Sequence, residues 1–175
     1  MMRLIIMAIA IITLLVPQRA AGLHVAGMKL PTAAQSTKAQ PAKKAQTATA
    51  APAEQTLLEL LNKERTSRGL APVTMDAQLT SLARMKSQDM VAKKYFGHNS
   101  PTYGTPAQML SRNGVTYKQY AENIAQGSDA HRIHAMWMAS TGHRANMLNP
   151  GLTHVGIGLA GAAASYTGTQ LFIAR

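Results

Sequence analysis

Residues 154–175, "HVGIGLAGAAASYTGTQLFIAR", read as two strands and the turn between them. "HVGIGLA" (154–160) and "GTQLFIAR" (168–175) are short, in part β-branched or aromatic, and separated by the small, flexible "GAAAS" (161–165). They predict a terminal antiparallel hairpin. Working back from it, "YAENIA" (120–125) predicts a third strand of the same sheet, while the stretches between Glu54 and Gly114 carry helical spacing. Helices first and sheet mostly last, with strands too close together for βαβ crossovers, predict an α+β layered domain.

Four helices are expected upstream of the hairpin. In "EQTLLELLNKERTSRGL" (54–70), Leu57, Leu58, Leu60 and Leu61 fall on one side, and Gly69 is a helix stop in the left-handed conformation. Asp76 can cap a second helix to about Lys93, with Leu79, Leu82, Ala83 and Met90 inward and Lys86, Lys93 and Lys94 outward. Thr105 and Pro106 form the cap and first turn of a third, ended by Gly114. A fourth begins near Ser128, carries Ile133, Met136 and Trp137 inward, and breaks at Gly142, after which "GHRANMLNP" (142–150) is expected as a loop. Gly156 and Gly158, either side of Ile157, permit close approach of a neighbouring element. Trp137 and the methionines at 85, 90, 109, 136, 138 and 147 are core filling in an aromatic-poor chain.

The first half of the chain is organised differently. Arg3, a run from Leu4 to Val16 that is apolar but for Thr13, and then Pro17 with small residues have the order of parts of a secretory signal peptide, assigned to residues 1–22. A bilayer span needs roughly 20 apolar residues, so no stable transmembrane span is expected after processing. Residues 31–53 hold no large apolar side chain and cannot offset their ordering entropy, which makes residues 23–53 a basic linker and 54–175 the folded domain. With no cysteine, disulfides and attachment through a lipidated cysteine are excluded. Six of the eighteen basic residues precede residue 54 and all seven acids lie from Glu54 onward, so about half of the +11 net charge belongs to leader and linker. Such a surplus suits contact with anionic wall polymers or lipids. Nucleic-acid binding would need basic residues interleaved with exposed aromatics, and no such run exists.

Three stretches place polar groups in apolar surroundings: "YFGHNSPTYG" with His98, "YAENIAQG" with Glu122, and "TGHRANMLNP" with His143. Two imidazoles and a carboxylate suit a zinc-like site, and equally a water-activating acid/base pair. Each also has a structural alternative: His98 as a loop cap, Glu122 as an acceptor of backbone N–H groups, His143 as a loop-holder beside Arg144 and Asn146, which can satisfy carbonyls at the end of the fourth helix. Asn123 can bridge strand and loop. If Glu122 contacts an imidazole, that histidine's pKa rises. His131 and His134 read as a solvated pair, and His154 as a strand end.

Five stretches in register, "LLNKERTSRGLAPVTMDAQLTSLA", "FGHNSPTYGTP", "AENIAQG", "WMASTGHRANMLNPGLTHVGIG" and "TQLFI", resemble the CAP superfamily of cysteine-rich secretory, antigen 5 and pathogenesis-related 1 proteins, in its bacterial SCP-like branch. The resemblance implies a three-layer α-β-α sandwich with a small central antiparallel sheet, an extracytoplasmic location, and a cleft lined by two histidines and two acids. By position, His98 and His143 are the cleft histidines and Glu122 the first acid. Ser140 stands three residues after Trp137, where longer members carry the second acid. That substitution weakens both tight metal binding and hydrolysis as inferences. The expectation is a cleft that binds a lipid-like ligand, a cell-wall fragment or a divalent cation (zinc or calcium, held by His98 and His143) without robust catalysis. A metal-assisted or Glu122-based hydrolase, with Ser140 or Ser100 as a less favoured nucleophile, and a structural wall module are the alternatives.

Overall fold

The computed structural model describes residues 51–162 and 164–175. The expected leader (1–22) and the linker up to residue 50 lie outside the described residues. No helix among the described residues is long and apolar enough to cross a membrane.

Helix α1 (Pro52–Thr66) places Pro52 in its first turn, where a missing N–H is harmless, and Glu54 accepts the Ala51 N–H at 3.0 Å. Gly69, at φ +73°, turns the chain out of it toward β1 (Thr74–Met75). Helix α2 (Ala77–Ala92) starts where Asp76 Oδ1 accepts the Leu79 N–H at 2.9 Å, the cap expected from sequence. Helix α3 (Pro106–Arg112) has the Thr105–Gln108 reciprocal cap and leaves through Gly114 at φ +70°. Strand β2 (Gln119–Gly127) is followed by α4 (Ala130–Ala139), capped by Asp129, and α5 (Thr141–Met147), capped by Ser140. Strands β3 (His154–Ala162) and β4 (Ser165–Ala174) form the terminal hairpin.

The sheet order is β1-β3-β4-β2, with β4 antiparallel to both β3 and β2. Two-residue β1 runs parallel to β3, so the sheet is mixed where a purely antiparallel one was expected. A pair of residues carries too little periodicity to be seen as a strand.

Period-two alternation sends the sheet's residues to two cores. Leu171 and Ile173 pack with Leu79, Leu82 and Ala83 of α2 and Met109 and Leu110 of α3. Val155, Ile157 and Phe172 pack on the opposite face with Leu57 and Leu61 of α1, Ile133 and Trp137 of α4, and Met147 of α5. The result is three layers, helices on both faces of the sheet. Gly156 and Gly158 let α2 lie directly on β3: a Cβ at either position would fall inside 3.0 Å of the backbone of Leu79 or of Ala83 and Arg84.

Four expectations are corrected. Gly142 does not end α4; Ser140 does, by adopting an extended backbone (φ −81°, ψ 126°) and capping α5, so most of the expected loop is helical. Lys86 is buried, because it lies on the same α2 line as Leu79, Ala83 and Met90. His134 is also buried, against the α1 layer with Glu64 Oε1 at 3.9 Å, while His131 stays exposed. Met136 faces solvent at 39% exposure, one position away from fully buried Trp137.

Candidate functional site

Strand β2 is an edge strand, and the candidate residues gather along it. Glu122 projects to the α2 face of the sheet, where His98 arrives from the loop after α2. The His98 Nδ1–H donates to Glu122 Oε1 at 2.8 Å. Glu122 is buried, and its Oε2 has no hydrogen-bond partner. The carboxylate holds the His98 pKa above its ordinary value, outweighing desolvation and the repulsion of nearby Lys86.

The loop that presents His98 is built from buried charge. Lys86 Nζ donates to the carbonyls of Gly97 (2.7 Å) and His98 (2.8 Å) and to Tyr95 Oη (3.2 Å). Asp89 accepts from Tyr95 Oη (2.7 Å), Ser100 Oγ (2.6 Å) and Thr102 Oγ1 (2.5 Å). Ser100 Oγ in turn accepts the N–H groups of Thr102 and Tyr103. These bonds commit Ser100 to the loop and leave it no nucleophile's freedom. Burial raises the Tyr95 hydroxyl to about 12, so it stays a donor to Asp89.

On the other face of β2, α5 carries His143. Asn123 Nδ2 donates to the His143 carbonyl at 3.1 Å and to Gln170 Oε1 at 3.1 Å, the strand-to-loop bridge expected of it, although the partner segment is a helix. Asn146 Nδ2 donates to Asn123 Oδ1 at 2.8 Å, and more weakly to the Glu122 carbonyl at 3.5 Å. Asn146 thus clamps β2, whereas Arg144 serves the end of α4 as expected, donating to the Met138 carbonyl at 2.8 Å. Ser140 Oγ faces the His143 N–H at 3.5 Å as the α5 cap. Desolvation lowers the His143 pKa, and the charge of His98 lowers it further, so the two imidazoles belong to one electrostatic site.

A groove of about 440 Å³ opens between the layers, lined by Phe96, Ile124, Ala125, Gln126, Met136, Ser140 and His143. Its walls are mostly apolar; the His98–Glu122 pair is not part of them. A second groove of about 570 Å³ shares Phe96 and Gln126 and adds Lys94, Met90 and Val91. Phe96 and Met136 were missed by sequence reasoning as wall residues. Phe96, one of two phenylalanines in the chain and beside a glycine, was the available signal.

The donor set falls short of a resident metal: Ser140 stands in place of a carboxylate, and no group of three His, Asp or Glu side chains among the described residues converges as a metal-holding cluster.

A model of the cysteine-rich secretory protein family (CAP) matches residues 58–173. Uncharacterized protein YkwD of Bacillus subtilis is 44% identical over 140 residues, which are 77% of this chain and 54% of that protein. The crystal structure of an extracellular protein containing an SCP domain from Bacillus anthracis, at 35% identity, gives a TM-score of 0.64 over 70% of this chain and 40% of that one. An outer surface protein of Borrelia burgdorferi gives the same TM-score of 0.64 at 18% identity, over 69% of this chain and 91% of that one, a likeness of fold alone. The chain therefore spans about half or less of the first two relatives.

Proposed function

The chain belongs to the cysteine-rich secretory protein (CAP) family, and from that premise we propose that it is an exported cell-envelope protein whose cleft along β2 binds a small ligand, lipid-like or a cell-wall fragment, without robust catalysis. One observation carries this reading: an apolar groove of about 440 Å³ ends on Ser140 and His143, beside a His98–Glu122 ion pair. Apolar walls with a few convergent polar groups are what a small-ligand site needs.

Hydrolysis is disfavoured by the same geometry. Ser100 is locked by Asp89, Ser140 caps a helix, and Glu122 has given Oε1 to His98. A base needs a free path to the proton it removes, and the buried carboxylate offers none. Zinc enters as a competitor for the two imidazoles, whereas calcium, which takes oxygen ligands, does not.

Thermal shift tests the proposal, with palmitate, a purified muropeptide, zinc and calcium each titrated into the full chain. Palmitate or muropeptide should raise the melting temperature of wild type and not of a His98→Ala, His143→Ala double variant. Equal shifts in both proteins, or none, would sink it; a shift with metal alone would transfer the site to a cation.

A further inference from the structure

The free edge of β2 is a strand-accepting slot, and we propose that its occupant is an extended segment of another polypeptide, apolar at alternate positions and acidic. This rests on the groove described above being a binding site and names the chemistry of what fills it.

The hydrogen-bond parity of the sheet fixes which backbone groups are free. Val155 C=O accepts from Asp76 N–H, and Leu159 N–H donates to Glu54, so odd-numbered residues of β3 face away from β4. The even residues of β3 therefore bond β4, through their partners Ile173, Leu171 and Thr169. The even residues of β4 are left for β2, through Ala121, Asn123 and Ala125. Glu122, Ile124 and Gln126 consequently direct N–H and C=O outward. The weak bond from Asn146 Nδ2 to the Glu122 carbonyl agrees with that assignment.

Beyond Glu122 the outward peptide groups lack hydrogen-bond partners among the described residues. Among the described residues no side chain or backbone group outside the sheet is hydrogen-bonded to Ile124 or Gln126 main chain. Ile124 is nevertheless buried, and a buried peptide group without a partner is costly. A lipid chain filling the groove would leave those donors and acceptors unpaired. A peptide strand satisfies them and sends alternate side chains to the two walls. One wall is Phe96, 51% exposed, on the α2 side; the other is Met136, 39% exposed, with His143 on the α4–α5 side.

Charge selects the peptide. Lys94 and His143 are the ionisable groups with cationic forms in the two joined grooves, and no Asp or Glu lines either. An acidic side chain in the strand meets Lys94, while a basic one meets repulsion alone.

Fluorescence anisotropy with the full chain tests this, using a labelled peptide that alternates valine and threonine and carries one glutamate. Its counterpart is the same peptide N-methylated at alternate residues, which keeps every side chain and removes one edge of strand donors. The N-methylated peptide should bind about tenfold more weakly, the equivalent of losing one or two hydrogen bonds. A Gln126→Pro variant, which deletes an outward N–H and no ladder bond, should weaken the parent peptide about as much as N-methylation does. Replacing glutamate by lysine in the peptide should weaken binding further at low salt. Equal binding of parent and N-methylated peptides overturns the proposal, as does a palmitate or muropeptide shift with no peptide binding, which spares the broader small-ligand reading. Absence of any binding at the groove removes both.

Discussion

His98 Nδ1–H donates to Glu122 Oε1 at 2.8 Å, joining the loop after α2 to the edge strand of the sheet, while His143 approaches the same strand from the opposite layer. The pair makes the charge of His98 part of the cleft. It also opposes charge on His143.

The histidines should therefore titrate in a fixed order. Glu122 raises the His98 pKa above the free value of about 6.5, so the pair's stabilisation is fully present below that value and is lost as pH climbs through the raised one. Burial lowers the pKa of His143 and of His134, so their contribution is present above about 6.5 and is lost as pH falls through the lowered values. Imidazole proton shifts followed by NMR from about pH 4 to 9, a range that brackets the free histidine value, should show His98 keeping its proton to the highest pH and the other two charging only under acid. In Glu122→Gln, His98 should move down toward its free value; no movement would mean that the ion pair does not form in solution.

Lys86 should prove to be an anchor of the His98 loop. Lys86→Met keeps the volume of the stem but leaves the carbonyls of Gly97 and His98 without their donor. Each unsatisfied buried group costs about 1–3 kcal/mol, partly relieved by water because the loop is near the surface. Urea denaturation should therefore show a loss of about 2 kcal/mol, with faster amide exchange over residues 95–104. Unchanged exchange there would separate Lys86 from the loop.

Arg65 fastens α1 to the segment after α5. Its guanidinium donates to the carbonyls of Ala71 (2.8 Å), Met147 (2.8 Å), Asn149 (3.0 Å) and Leu152 (3.2 Å), and it is fully buried. Arg65→Ala strands four acceptors at once and should cost about 3–5 kcal/mol by denaturation. Arg65→Lys keeps the charge and loses the planar fork, and should recover less than half of that.

What the sequence made legible follows from how far each signal reaches. Local caps and turn glycines were visible because Asp76, Thr105–Pro106, Gly69 and Gly114 act on backbone within a few residues. The hairpin was visible through alternation. The His98–Glu122–His143 grouping was supplied by resemblance, since 24 residues separate the first two in the chain and local spacing says nothing of it. Lys86 lies inward against the expectation its charge raises, because three carbonyl and hydroxyl acceptors supplied by distant loop residues make its burial tolerable. The α5 segment is hidden in the sequence because Gly142 carries a breaker's signal while Ser140, two residues earlier, is free to cap. Groove walls escaped because Phe96 and Met136 are apolar in sequence whether they face core or solvent.

Two kinds of glycine should respond oppositely to alanine. At Gly156 and Gly158 the added Cβ would meet backbone of α2 well inside 3.0 Å, and helix backbone cannot rotate aside as a side chain can. Either substitution must push α2 off the sheet, so the loss should reach or exceed the top of the usual range of about 1–3 kcal/mol for overpacking. Gly142 is different: it lies within α5, is exposed, and has nothing within 4 Å of a built Cβ. Gly142→Ala reduces the entropy lost on folding and should stabilise by about 0.5–1 kcal/mol. Thermal denaturation of the three variants side by side decides it. A destabilised Gly142→Ala would return residues 142–150 to the loop first expected from sequence, and would remove the helical support on which His143 stands.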